Sequence, residues 1–395
     1  MRDGYETAAA SAVSGGTGGK KGTHREIGAL VLLCALFLLN TPLALGAEIA
    51  VGPILQFPED GTMTIMWETN EESAGDVVYR EWDGERSTIS PVCSGTHHRV
   101  RLDRLTPGKK YEYHIRDGGR VIYTSYFNNL SARDSYRAVI ISDAHVPKEG
   151  FSRLVPTIRD ARPDFIIFLG DMVTDGGEMG QWVRFFQAGR TLFDHVPLFT
   201  VPGNHDLDGD DRGVLYGRFF CRPEDAADGL FNYTARLNGD RFIFLDVQRH
   251  TILSTVWFFA TLLDSVVKRD HRRLFVFAHE GITSFKDNRA GSLELKSFHL
   301  MMVLCRVTAL FSGHDHHYVR GKTFLGLPFF ISSGGGGALY PVHERRILSR
   351  PAVWMEASYG GDHFLVLLVD GSRCVIRAVN ERGETVDEVD VGPRR

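Results

Sequence analysis

The sequence predicts an α/β domain preceded by a smaller all-β module, and three observations carry that prediction. Between residues 48 and about 133, apolar and polar residues alternate in short runs separated by turn residues. From Asp134 onward the period changes to strand, loop, helix, strand. The apolar runs of this second part, moreover, repeatedly end on Asp, Asn, His or Gly. A chain of 395 residues, 43% hydrophobic and 24% charged, is long enough for two domains and excludes disorder. With 45 Lys and Arg against 49 Asp and Glu, it offers no basic field to hold a nucleic-acid duplex.

Residues 1–47 read as targeting rather than fold. A Gly/Ala/Ser/Thr-rich stretch carrying Lys20, Lys21 and Arg25 leads into an uninterrupted apolar run at 27–39. Asn40 and Pro42 end that run short of the roughly 18 apolar residues a spanning helix needs, and Ala44-Leu45-Gly46-Ala47 resembles a cleavage site. A signal peptide cleaved near Ala47 and an uncleaved N-terminal membrane anchor both place the rest of the chain outside: periplasmic, cell-surface or secreted. Cys93, Cys221, Cys305 and Cys374 would then sit in an oxidising compartment and could form up to two disulfides of undetermined pairing.

In the all-β module, residues 48–133, strands are expected at 62–68, 76–82, 99–105, 111–116 and 120–127. Trp67, Tyr111 and Tyr113 at alternating positions are expected in its core, while His97, His98 and His114 are expected at the surface or at strand edges. In the domain at 134–395, strands are expected at 137–141, 164–169, 197–201, 242–246, 274–278, 309–312 and 328–332, with helices at 152–161, 180–190, 256–268 and 293–304. Three strands at 363–369, 374–379 and 385–391 close the chain in antiparallel order, the first two joined at Asp370-Gly371.

Catalytic groups of open α/β sheets collect at the carboxyl ends of the strands. In order, these ends deliver Asp143-Ala144-His145, Gly170-Asp171, Gly203-Asn204-His205-Asp206, His279, and Gly313-His314-Asp315-His316. Oxygen and imidazole donors of this kind suit divalent Zn, Mn, Ni, Co or Fe, and the absence of Cys argues against a structural thiolate zinc site. Residues two apart on a strand-end loop, Asp143 with His145 and His314 with His316, can turn toward one centre.

This order, D-x-H, G-D, G-N-H-D, H, G-H-x-H, resembles the calcineurin-like metallophosphoesterase superfamily from residue 136 to the C-terminus. That resemblance implies a four-layer β-sandwich flanked by helices. The leading module, with Leu102-Asp103-Arg104-Leu105-Thr106-Pro107-Gly108 before Tyr111, resembles a fibronectin type III sandwich with a tyrosine corner. The combination is similar to purple acid phosphatases and their bacterial relatives, as is the glycine segment Ser333-Gly334-Gly335-Gly336-Gly337-Ala338. The resemblance implies two divalent or mixed-valence metal ions, with Fe, Mn, Zn and Ni not distinguished. Asp143, His145 and His316 would hold the first, Asn204, His279 and His314 the second, and Asp171 would bridge them. His205 would lie beside the leaving group, oriented by Asp206. The implied reaction is hydrolysis of phosphate mono- or diesters by a hydroxide shared between the metals, with no protein partner implied.

Two departures stand out. Thr174 occupies the position where the purple branch carries the tyrosine that gives its colour. After His279 the run is Glu280-Gly281-Ile282-Thr283, and Glu280 beside the site favours a diester monoanion over a monoester dianion unless a cation such as Arg289 neutralises it. The competing reading is a noncatalytic surface-binding or scaffold protein that uses the β-module, with the α/β domain as frame. The retained donor set favours the enzyme.

Overall fold

The computed structural model describes residues 46–59, 61–130, 135–209, 213–220, 231–249, 251–342 and 352–392. The targeting segment expected at 1–47, save its last two residues, and Cys221 lie outside these. Among the described residues no helix is long and apolar enough to cross a membrane.

In the N-terminal module, β1 (Ile49–Glu59), β2 (Thr62–Glu81), β3 (Thr88–Ile89), β4 (Cys93–Leu102), β5 (Lys110–Asp117) and β6 (Arg120–Asn128) enclose a core around Trp67, Tyr113 and Phe127. The two strands expected at 62–68 and 76–82 are one, β2. It pairs with β4 along one edge, with a register shift between Glu68 and Ser73, and on the other edge it changes partner from β1, up to Thr69, to β5, from Gly75. The Tyr111 hydroxyl accepts the Thr106 N–H at 2.8 Å, closing the turn between β4 and β5. His98 departs from the expected surface position. It is fully buried and stacked on Trp67, because its ring completes the apolar layer that Gly75, lacking a side chain, leaves open.

The second part is two facing sheets. In the first, β7 (Ser135–Ile141), β8 (Phe165–Phe168) and β9 (Leu198–Thr200) are parallel, and β17 (His363–Asp370), β18 (Arg373–Asn380) and β19 (Thr385–Asp390) extend them in antiparallel order. In the second, β11 (Asp240–Leu245), β12 (Leu274–Ala278), β13 (Ala309–Ser312) and β15 (Pro328–Ser332) are parallel. Antiparallel edges are added by β10 (Tyr233–Leu237), β14 (Tyr318–Thr323) and β16 (Val353–Tyr359). Phe165, Phe199, Phe242, Phe277, Phe311 and Phe330 belong to the core between the sheets. Helices α1 (Gly150–Asp160), α2 (Met179–Ala188), α3 (Arg190–Phe193) and α4 (Val214–Phe220) contribute to the core of the first sheet's outer face. Helices α5 (Ile252–Lys268), α6 (Leu293–Ser297) and α7 (His299–Leu304) contribute to that of the second. These are the four layers.

The helix expected at 180–190 ends at Gly189, and the one expected at 293–304 is broken at Phe298. The module is continuous with the first sheet, because β1 pairs in parallel with β9 at Gln56 and Leu198. Tyr113, Tyr123 and Ser125 also donate to Asp194 just beyond α3. Cys93, Cys305 and Cys374 are free thiols, so the disulfides the sequence allowed are absent among the described residues.

Candidate metal centre

Every residue singled out at a strand end arrives at one end of the sandwich. Asp143 and His145 follow β7, Asp171 follows β8, Asn204, His205 and Asp206 follow β9, His279 follows β12, and His314 and His316 follow β13. The backbone leaves strand geometry there in an unusual way. Asp143, His145, Asp171, His314 and His316 all have positive φ, between 48° and 72°. L-residues rarely occupy that region, and such strain persists only where the surroundings over-determine it. A β-carbon on Gly203 would stand 2.1 Å from Asp171 Oδ1, so glycine is what lets the β8 and β9 loops close on each other.

The side chains form two groups that share Asp171: Asp143, His145, Asp171 and His316 in one, and Asp171, His279 and His314 in the other, with the donor atoms of each group within 4.8 Å of one another. Asp171 Oδ2 lies 3.5 Å from His145 Nε2 and 3.3 Å from His279 Nε2, while its Oδ1 accepts the His205 N–H. Asp143 Oδ1 is 3.6 Å from His316 Nε2. His145 Nε2 faces His316 Nε2 at 3.2 Å, and His314 Nδ1 faces His279 Nε2 at 3.0 Å.

Protein groups hold two of these rings from behind. His279 Nδ1 donates to the Leu169 carbonyl at 2.6 Å, and His316 Nδ1 donates to the Ala338 carbonyl. The opposite nitrogen, Nε2, is thereby the one left with its lone pair toward the centre. Lone pairs confronting one another, with buried Asp143 Oδ1 and Asn204 Oδ1 lacking any hydrogen-bond partner, need a proton or a cation between them. The donors therefore fit oxygen- and imidazole-seeking cations around a shared carboxylate.

Electrostatics agree. Burial alone would raise both carboxyls, yet the surrounding imidazoles, His279 foremost, hold Asp143 and Asp171 below the usual carboxylate range. Burial pushes His145 down to about 4 and His314 down to about 3, keeping them neutral and able to ligate. His279 goes the other way: burial opposes charge, but Asp171 and Asp143 pull it up to about 10. A proton on this ring occupies the place that a cation would take.

His205 stands at the mouth of the cage, its side chain 34% exposed and its ring edge-on to His145 at 4.8 Å. Its Nδ1 donates to the Thr174 carbonyl at 2.9 Å, and Asp208 lies 3.3 Å from the same nitrogen. Asp206, expected to orient His205, makes no hydrogen bond to its ring. Its carboxylate is fully buried and accepts the N–H groups of Met172 and Gly203, and of Val173 at 3.3 Å. Those bonds tie the Asp171 loop to the Asn204 loop. Burial pushes the Asp206 carboxyl up to about 7, with Asp171 adding to the shift, against the backbone donors that favour its charged form.

Ser333 was not among the expected site residues. It donates to Asp143 Oδ2 and accepts the His316 N–H at 2.7 Å, and its place at the head of the glycine run was the available signal. The run itself lies against the first loop, with Gly335 and Gly337 donating to the carbonyls of Ser142 and Asp143. His317, beside the last motif, is fully buried, with Nε2 3.6 Å from Asp315 Oδ2.

Residues 136–318 match the calcineurin-like phosphoesterase family, and residues 51–132 match the purple acid phosphatase N-terminal domain. Among solved structures, the chain is similar to a purple acid phosphatase from yellow lupin (Lupinus luteus) seeds, with 18% identity, TM-score 0.73, and coverage of 87% of this chain and 74% of that one. It is also similar to PhoD, with 9% identity, TM-score 0.68, and coverage of 88% and 94%. GAP50, the anchor in the inner membrane complex of Plasmodium, is similar over 67% of this chain and 90% of that one, with 17% identity and TM-score 0.51. At these identities the likeness is one of fold, and an anchor shares it with phosphatases, so the donor set carries the chemical argument. No protein of curated function matches the chain in sequence.

Proposed function

Because the chain carries a calcineurin-like phosphoesterase domain behind a purple acid phosphatase N-terminal domain, we propose that it hydrolyses phosphate esters at a two-cation centre. The division between module and catalytic domain falls at residues 133 and 134. Asp143, His145 and His316 would hold one cation, Asn204, His279 and His314 the other, and Asp171 would serve both. Bound there, the cations would lower the proton affinity of the attacking water and polarise the phosphoryl oxygens. The observation that carries this reading is the two pairs of facing imidazole nitrogens, 3.2 and 3.0 Å apart, beside the orphaned oxygens of Asp143 and Asn204.

The protein's own part is positioning and proton transfer. With Nδ1–H committed to the Thr174 carbonyl, His205 has Nε2 left to carry a proton to the departing alkoxide. Asp206 is a positioning residue that sets the distance between the Asp171 and Asn204 loops. Thr174, which donates to the His145 carbonyl, supplies no phenolate, so nothing in this loop demands a ferric ion, and Mn, Zn, Ni and Fe all suit the donors. Export rests on the composition of residues 1–47.

The test is hydrolysis of a chromogenic phosphomonoester and the matching diester by the full chain, stripped and then loaded separately with Mn, Zn, Ni or Fe. Turnover that requires metal is expected. A folded, metal-loaded protein that hydrolyses neither ester would overturn the reading in favour of a scaffold.

A further inference from the structure

We propose that residues 284–289 form a charge-reading edge of the centre, with Lys286 as its specificity-determining residue, and that they make phosphomonoester dianions the substrate class. The proposal rests on the phosphoesterase reading above.

Asp315, the residue between the two ligand histidines of the last motif, turns away from the cage. Buried at 2% exposure, its carboxylate accepts the Ser284 hydroxyl at 2.7 Å and the Phe285 N–H at 2.8 Å. The side chain that separates His314 from His316 is thus also the anchor of the loop after β12. The loop carries two cations to the rim. Arg289 donates to the His314 carbonyl and lies 4.0 Å from Asp315. Lys286 Nζ sits 3.2 Å from the centroid of Tyr340, whose ring packs at 4.8 Å on His316.

Lys286 has no carboxylate within ion-pair distance among the described residues, so a neighbouring acid does not explain its placement. Burial and the Arg289 charge push its pKa down, Asp315 and Asp143 hold it up, and His316 in turn feels its charge. The ammonium is therefore electrostatically in touch with the cage. A cation placed beside a cage that itself collects cations is unfavourable until an anion arrives, and a dianion gains from it twice what a monoanion gains. Packing on Tyr340 alone would be indifferent to substrate charge.

The expectation that Glu280 favours diesters is set against these two cations: the Glu280 carboxylate accepts a hydrogen bond from neutral Gln248 Nε2 at 3.3 Å, while Lys286 reaches toward His316 through Tyr340 and Arg289 donates to the His314 carbonyl.

The experiment compares the metal-loaded full chain with Lys286→Met, which keeps an apolar stem over Tyr340, and with Lys286→Arg. It reads kcat and KM for a phosphomonoester and its diester, inhibition by inorganic phosphate, and the thermal midpoint. In Lys286→Met the monoester-to-diester ratio of kcat/KM should fall about 10-fold, mainly through the monoester KM, as expected for loss of one partly screened charge. The phosphate inhibition constant should rise by a similar factor, and Lys286→Arg should restore most of both. A ratio that moves less than about twofold in a folded Lys286→Met protein overturns the inference while leaving the phosphoesterase reading intact. Wild-type protein inactive on both esters sinks both.

Discussion

His98, within β4 of the β-module, and His316, in the loop after β13, are both buried histidines, yet their partners are opposite in kind. His98 lies flat on Trp67 at 4.9 Å, with Nε2 3.2 Å from the Thr69 hydroxyl and 3.1 Å from the Ser73 hydroxyl, and Nδ1 3.4 Å from the Cys93 thiol. Each nitrogen has a neutral partner that can donate or accept, so the ring is satisfied as it stands. His316 has one nitrogen pinned to a backbone carbonyl and the other aimed at His145 and Asp143. A packing histidine closes its own hydrogen-bond account, whereas a ligand histidine is held open by its surroundings. Burial alone does not separate the two, since both His98 and the fully buried His279 are inaccessible.

The largest effect that could break this contrast is expected at Asp171, the carboxylate common to both groups. Asp171→Asn should reduce bound metal and lower turnover by about 1,000-fold, the scale on which loss of a charge-stabilising group is felt in a water-poor site. Metal analysis alongside turnover checks it. In the wild type, loading with metal at about 1,000 times its dissociation constant should add about 4 kcal/mol to unfolding stability, seen as a raised thermal midpoint. Asp171→Asn should lose most of that shift. A variant that keeps its metal and its rate would mean that Asp171 is not the carboxylate the cations depend on, and that the shared-carboxylate contrast with His98 fails.

The next effect sharpens the contrast within the cage. His205 is partly exposed, and its backbone N–H, rather than its ring, meets Asp171. Replacing it by Ala should leave the metal content and the metal-induced midpoint shift in place while turnover falls about 100-fold to 10,000-fold. Loss of metal together with rate would make it a ligand.

These two regions also differ in how much of them could be read from the chain. The cage was legible because its side chains sit at fixed short spacings directly after apolar runs, so Asp143 with His145 and His314 with His316 announce themselves locally. What supports them was not. Thr174 holds His205 through its backbone carbonyl, which any residue would supply, and Ser333 reaches Asp143 across 190 positions of chain. Asp206 was adjacent to the right residue but bonds backbone N–H groups instead, a choice made by loop closure rather than by sequence order. In the module, β2 reads as two strands because exposed residues interrupt its alternation between Thr69 and Gly75, where it changes partners. The antiparallel strands β10, β14 and β16 lie outside the long apolar runs, and the inward positions of β16 are mostly only half-buried. His98 shares the alternating buried face of Val100 and Leu102, and it was misplaced because an imidazole reads as polar where that face continues past the apolar residues, unlike its neighbour His97 on the other face, paired with Glu68.

The smallest effect belongs to His98 itself. His98→Leu keeps an apolar side chain over Trp67 but strands the Ser73 hydroxyl, and it should cost about 1–2 kcal/mol of stability at neutral pH with kcat unchanged. The pH dependence has a definite sign. Burial lowers the folded pKa of His98 below the ordinary histidine value, so the unfolded chain takes up this proton first as pH falls. The stabilisation from neutral His98 is therefore complete above about pH 6.5 and drains away below it toward the lowered folded value. His98→Leu has no such term, so urea midpoints of the two proteins should lie furthest apart at pH 7.5 and draw together by pH 5.5. A gap that stays constant across that range would mean that the buried ring accepts a proton as readily as water allows. His98 would then be held open in the manner of the cage, and the distinction between a satisfied and an unsatisfied histidine would fail where it is simplest.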